Sequence, residues 1–299
     1  MRAALALATV AAALLAAAPA WAAFPGTNGL IAFSRDDAGG DYDLWAMKPD
    51  GSGKRALTTS PRSDSDPAWA PGGRRVAFAR DVRGNFEVFV KNVRTGTTRR
   101  LTHRAGYDID PAWAPDGRRI VFASARTGNF ELFVFDLRTG RATRIPGGSE
   151  DDFFPAWSPD GSKIAWAGEV PGGGLDIFVR DLESDDVIDV TPSARYDDEA
   201  PNWSPDGTRL AFARSDRRGL ESAEIYVKPA GLGVPATRLT HNAAQDVSPA
   251  WSPDGRFIAY QRSVGDVTQV WRMRANGTHK TSLTAKRYGS LAPDWQPRP

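Results

Sequence analysis

Apolar residues along the chain fall in short runs, separated by polar segments that carry Pro, Gly, Asp or Ser. One set reads Val76-Ala-Phe78, Ile120-Val-Phe122, Ile164-Ala-Trp166, Leu210-Ala-Phe212 and Ile258-Ala-Tyr260. After a polar tip, each is followed by a second: Val88-Phe-Val90, Leu132-Phe-Val134, Ile177-Phe-Val179, Ile225-Tyr-Val227 and Val270-Trp271. A third is marked by Leu101-Thr102, Ile145, Val190-Thr191, Leu239-Thr240 and Leu283-Thr284. Runs this short, β-branched and aromatic, bounded by turn residues, predict strands.

A fixed punctuation keeps these runs in register. Trp69, Trp113, Trp157, Trp203, Trp251 and Trp295 stand 44, 44, 46, 48 and 44 residues apart. Most sit in Pro-x-Trp-Ser/Ala-Pro-Asp/Gly-Gly. In that turn Pro presets φ, Asp bonds to nearby backbone and Gly takes the positive φ that follows. With the Trp segment as the first strand, each period holds four strands, which is the blade of a β-propeller. The N-terminal part enters at the second strand, Ile31-Ala-Phe33, and the C-terminal part supplies an orphan first strand, Asp294-Trp295-Gln296. Together they predict a sixth blade that closes the ring and leaves no free sheet edge. The expected fold is all-β, a six-bladed propeller of four antiparallel strands per blade.

The first residues read as an address. Met1-Arg2 is followed by an uncharged, Ala-rich run to Pro19-Ala20-Trp21-Ala22-Ala23, with small residues where a signal peptidase cuts. Residues 1–22 are expected to be a signal peptide and 24–299 one propeller domain, which places the mature protein in the periplasm, the cell envelope or outside the cell. After cleavage no remaining segment is long and apolar enough to span a membrane.

Composition then removes chemistries. With 38 Lys+Arg against 36 Asp+Glu the formal net charge is +2, which argues against a sequence-independent nucleic-acid binder. The absence of cysteine excludes disulfides, a thiolate nucleophile and Cys-ligated metals.

The motif Pro-x-Trp-Ser-Pro-Asp-Gly-x-x-Ile-Ala-Phe, then an Ile-Tyr-Val-like run, then Arg-Leu-Thr, resembles the TolB-like, WD-repeat-like propeller repeat from Gly29 to Pro297. The resemblance implies a protein-docking platform of the bacterial envelope; similar blades also gate prolyl-oligopeptidase-type peptidases. No α/β segment is expected ahead of the blades and no hydrolase segment behind them. A non-catalytic platform for a protein or peptide, acting as a monomer, is therefore the expected role. The alternative is a propeller that binds or turns over a carbohydrate or small metabolite at an acidic channel mouth.

Candidate chemistry is carboxylate-based. No Gly-x-Ser-x-Gly elbow occurs, and His103 and His241 occupy equivalent positions three blades apart. Five residues before the repeat Trp stand Asp64, Asp108, Asp152, Asp198 and Asp246, with Ser290 in the last blade and Asp66, Asp110, Asp151, Asp197 and Glu199 close by. These aspartates either cap their own loops or form a channel-mouth ring that holds a cation such as Ca²⁺; no other cofactor is expected. A second series, Asp43, Glu87, Glu131, Asp176, Glu224 and Gln269, precedes the third strand, and is expected to pair with Arg35, Arg80, Arg214 and Arg262 at the end of the second. The loops carrying these residues vary in sequence while the Pro-Asp-Gly turns do not, so the loop side is the expected recognition face. Phe86, Phe130, Phe153, Phe154, Tyr107, Tyr196 and Tyr288 fall at or near it.

Overall fold

The computed structural model describes residues 24–36, 40–147, 150–219, 222–285 and 289–298, and every regular element among them is a strand. The chain begins with β1 (Thr27–Asp36), β2 (Tyr42–Met47) and β3 (Arg55–Ala56). Blade one follows as β4 (Asp64–Trp69), β5 (Arg75–Asp81), β6 (Phe86–Asn92) and β7 (Thr98–Arg100). Blade two is β8 (Asp108–Trp113), β9 (Arg119–Ser124), β10 (Glu131–Asp136) and β11 (Arg141–Arg144). Blade three is β12 (Asp152–Trp157), β13 (Lys163–Glu169), β14 (Leu175–Asp181) and β15 (Val187–Asp189). Blade four is β16 (Tyr196–Trp203), β17 (Arg209–Asp216), β18 (Glu224–Pro229) and β19 (Thr237–Arg238). Blade five is β20 (Gln245–Trp251), β21 (Phe257–Val264), β22 (Val267–Arg274) and β23 (Thr281–Ser282), and the chain ends in β24 (Ser290–Arg298).

Six four-stranded antiparallel sheets result, and the sixth has the order β24-β1-β2-β3. Its closure runs Thr27↔Arg298, Ile31↔Trp295 and Arg35↔Ser290. The first strands touch one another in sequence around the ring, β4 to β8 to β12 to β16 to β20 to β24 and back, which makes them the innermost strands. The sequence-predicted six-bladed propeller is the fold observed.

The repeat explains the packing. Gly73, Gly117, Gly161, Gly207 and Gly255 take φ of 62° to 76°, and in each turn the Gly N–H closes on the carbonyl three residues back. The six repeat tryptophans are buried between blades. Trp113 Nε1 donates to the Ala68 carbonyl of the preceding blade at 3.1 Å, and Arg75 of that blade lies 4.5 Å above its ring. The core is therefore a set of inter-blade seams. The closing blade packs Ala32, Leu44 and Ala46 on Trp69 and Phe78 of blade one, and Ile31 and Phe33 on Ala250 and Val270 of blade five.

One innermost-strand feature is absent from the simple strand reading. Asp66, Asp110, Phe154, Ala200, Ser248 and Ala292, each three residues before its Trp, adopt φ of 51° to 55°, at a register shift against the second strand. Left-handed backbone is costly for non-Gly residues, and a β-bulge is where it is tolerated. Each precedes a Pro, and the bulge turns that residue out of the regular alternation.

Two turn glycines separate conformational strain from steric clash. A Cβ on Gly73 would overlap the Pro297 carbonyl, whereas on Gly207 it would meet only Pro159 Cδ at 3.7 Å. Gly207→Ala should cost about 1–2 kcal/mol for its left-handed backbone, and Gly73→Ala clearly more, as read by paired denaturant unfolding curves.

Candidate functional site

The hairpin tips between second and third strands and the inter-blade connections share one face of the disc. There the acidic series is built into rows. Asp64 is in register with Arg80, and Arg80 with Glu87, so all three side chains share one side of blade one. Arg80 gives Nε and Nη2 to the two oxygens of Asp64 at 2.5 and 2.7 Å. Its guanidinium lies 5.2 Å from the Phe78 ring and 5.1 Å from Phe89. Pairing with Asp64 pushes the Arg80 pKa above its ordinary value. Blade four repeats this with Arg214 on Asp198 at 2.6 Å, over Phe212 and Tyr226. In blade five Arg262 binds Asp246 over Tyr260 and Trp271. Blade two takes its arginine from beyond the strand: Arg126 reaches Asp108 at 2.8 Å and stacks on Phe122 and Phe133. In the closing blade Arg35 lies 4.0 Å over Trp45.

The expected pairing of these arginines with the second acidic series is corrected here. Glu87, Glu131 and Glu224 instead pair with Arg100, Arg144 and Arg238 of the outer strands. The guanidinium sits over an aromatic pair whose inner end faces the first strand, so its fork meets the aspartate, and the glutamate turns outward. A threonine anchors the second series in blade one. Thr102 Oγ1 donates to Glu87 Oε2 at 2.5 Å and accepts the Val88 N–H at 2.9 Å. Thr58, Thr191, Thr240 and Thr284 accept the corresponding N–H groups in their blades.

Blades two and three depart from this scheme at one seam. The threonine position after Ile145 is Pro146, and Glu131 Oε2 is buried without a partner. Asp152 lies opposite Gly168 instead of an arginine, and the position matching Arg126 is Val170. Trp166 and Phe178 stack at 5.7 Å, as the aromatic pairs of the other blades do, but no cation lies over them among the described residues. Asp152 Oδ1 accepts the Trp166 indole N–H at 2.7 Å. Burial, with the charges of Glu131 and Asp151 added, pushes Asp152 up to about 7. A cavity of about 400 Å³ opens here, lined by Pro146, Gly147, Asp152, Trp166, Phe178 and Val187, with Glu150 and Glu169 at its edge.

The innermost strands carry a second set of carboxylates. Burial raises Asp66 to about 6, and burial plus the Asp66 charge holds Asp110 well above the usual carboxylate range. Burial likewise lifts Asp294 well above its ordinary value, and Glu199 to about 7. Asp294 Oδ2 accepts the Trp69 N–H of the next blade at 2.6 Å, and Asn202 Oδ1 accepts the Trp251 N–H at 2.7 Å. Asp294 and Asn202 occupy the position before Trp, where the other four blades have alanine; that contrast is visible in the sequence. A folded-state pKa raised above the unfolded value gives stability that is present below pH 4 and lost as pH rises through about 6. Asp66→Asn should therefore raise the melting temperature by several degrees at pH 8 and change it little at pH 4.

The family model described as the TolB beta-propeller domain matches residues 52–166 and 147–299. The chain belongs to the TolB beta-propeller family. A TolB homologue of Chlorobium luteolum is 37% identical over 59 residues, a stretch that is 20% of this chain and 14% of that relative's length. The crystal structure of TolB from Acinetobacter baumannii superimposes with a TM-score of 0.80 at 22% identity, covering 90% of this chain and 67% of that one. A TolB structure from Agrobacterium tumefaciens gives a TM-score of 0.71 at 18% identity, covering 90% and 91%.

In this TolB-family propeller, the predicted site residues stand as follows. Asp64, Asp108, Asp198 and Asp246 spend both carboxylate oxygens on an arginine of their own blade, a set that does not fit a shared cation, and Asp152 lacks the arginine. Among the described residues no three His, Asp or Glu side chains are grouped to hold a metal ion. His103 and His241 are exposed. Phe130, Phe153 and Phe154 are buried in the seam between blades two and three, whereas Tyr107 is exposed and meets Phe86 edge-on at 6.0 Å. Tyr288 and the expected cleavage site before Ala23 lie outside the described residues.

Proposed function

We propose that this TolB-family propeller is an exported, non-catalytic platform of the cell envelope that docks a protein or peptide on its loop face. The observation that supports it is the state of the carboxylates on that face. In four of six blades the aspartate is buried and holds an arginine of its own blade with both carboxylate oxygens. A glycosidase-like pair needs one carboxyl held protonated beside one held ionised; rows of equivalent ion pairs supply rigidity instead. Loops of unlike sequence on this braced rim, with Tyr107 exposed among them, are suited to recognition. Family membership and the sequence-predicted signal peptide support the envelope location.

The test is capture from an envelope extract with residues 24–299 as bait, alongside a Tyr107→Asp variant. The reading expects one protein retained by wild type and reduced with the variant. Retention that the variant leaves intact, or reproducible hydrolysis of a carbohydrate or ester abolished by one substitution in this chain, contradicts it.

A further inference from the structure

We propose that the cavity between blades two and three is a binding site for a guanidinium group, supplied by an arginine side chain of a peptide or by a free arginine-like metabolite. The other blades define the ligand. In each of them a guanidinium of the chain itself lies over the aromatic partners of the second and third strands. In four it also forms an ion pair with the aspartate five residues before Trp. Blade three keeps the aspartate, Asp152, and the aromatic pair, Trp166 and Phe178, but has Gly168 and Val170 at the two positions from which the chain could supply the cation. The receptor is retained and its occupant is missing.

A second departure, from the neighbouring blade, opens the same place. Pro146 stands where blade one has Thr102, whose hydroxyl donates to Glu87, and Glu131 Oε2 is buried, 2% exposed, with no hydrogen bond. Arg144 binds the other oxygen of Glu131. A Cβ on Gly147 would lie 2.6 Å from Asp152 Oδ2 and 3.3 Å from Glu131 Oε2, so both carboxylates close on one glycine that lines the cavity. An unpaired buried acceptor is costly, and a planar fork of N–H donors answers two carboxylates above a π-face better than a compact ammonium does. The site stands whether or not the loop face docks a protein.

Occupancy should depend on pH. The groups facing Asp152 are Asp151 beside it, Glu131 on β10, Arg144 on β11, and Glu150 and Glu169 at the cavity edge. Burial holds Asp152 near pKa 7, so a cationic ligand gains its full partner only above that pH.

The experiment is calorimetric titration of the folded protein with N-acetyl-arginine amide. Cation–π and charge-assisted contacts together predict a Kd on the order of 1 mM or tighter at pH 8, weakening at pH 5. N-acetyl-lysine amide should bind about tenfold more weakly, and Asp152→Asn should weaken the arginine probe by about tenfold. Val170→Arg copies the route by which Arg126 reaches Asp108 in blade two; it should fill the cavity, raise the melting temperature and abolish binding. A short peptide carrying arginine and free arginine serve as the two source arms, and the tighter of them names the natural form. No saturable binding at millimolar concentrations, equal binding of the lysine probe, or unchanged binding by Val170→Arg overturns the proposal.

Discussion

Removal of residues 291–299 should unfold the ring at its seam. The deletion takes Trp295, 3% exposed, and most of β24, which pairs with β1 from Thr27↔Arg298 to Arg35↔Ser290. Loss of a buried aromatic of this size costs about 3–5 kcal/mol, and Asp294, which caps the Trp69 N–H of blade one, goes with it. The exposed edge of β1 then offers unpaired backbone groups to a second molecule. A large fall in melting temperature, with dimers or aggregates in light scattering, is the expected outcome. A truncated protein that melts like the full chain and remains monomeric would show that the ring is not closed this way.

Arg214→Leu should be the most damaging single substitution in the acidic rows. It leaves Asp198, 0% exposed, without its bidentate partner, and breaking a buried pair from one side costs about 3–5 kcal/mol. The cost is pH-dependent. Without Arg214 the folded-state pKa of Asp198 rises further above its unfolded value, so stability is retained at low pH and lost as pH rises. The variant should therefore be closer to wild type at pH 5 than at pH 8. Asp198→Leu combined with Arg214→Leu removes both charges and should recover much of the loss; urea unfolding at the two pH values reads all three proteins.

Much of this architecture was legible because each blade repeats the same local chemistry. Buried Trp and paired apolar runs agree at six places, and a Pro-Asp-Gly turn follows the Trp at four of them. The partners of the arginines were not legible. Arg80 is opposite Asp64 on one side and Glu87 on the other, and the sequence gives the row without saying which way the guanidinium turns. That choice depends on the ring pair beneath it, Phe78 and Phe89, which becomes visible only once the strands are registered. The bulges at Asp66 and Asp110 were hidden for a related reason. A residue before Pro in a strand reads as extended, and its left-handed φ belongs to a bulge that shows only once the first strand is registered on the second. Pro146, which lines the cavity, and Gly168, which lies opposite the cavity's Asp152, each look like ordinary loop and strand variation 22 residues apart; that both bear on one place is a fact of blade packing.

The central claim, a binding platform that works through its loop face, is tested most directly by site-specific photocrosslinking in living cells. One crosslinker replaces Tyr107 on the loop face, and another replaces Arg118 in the Pro-Asp-Gly turn on the opposite side. The account predicts a discrete crosslinked protein from position 107 and none from position 118. A product from position 118 alone would place recognition on the wrong face and contradict it.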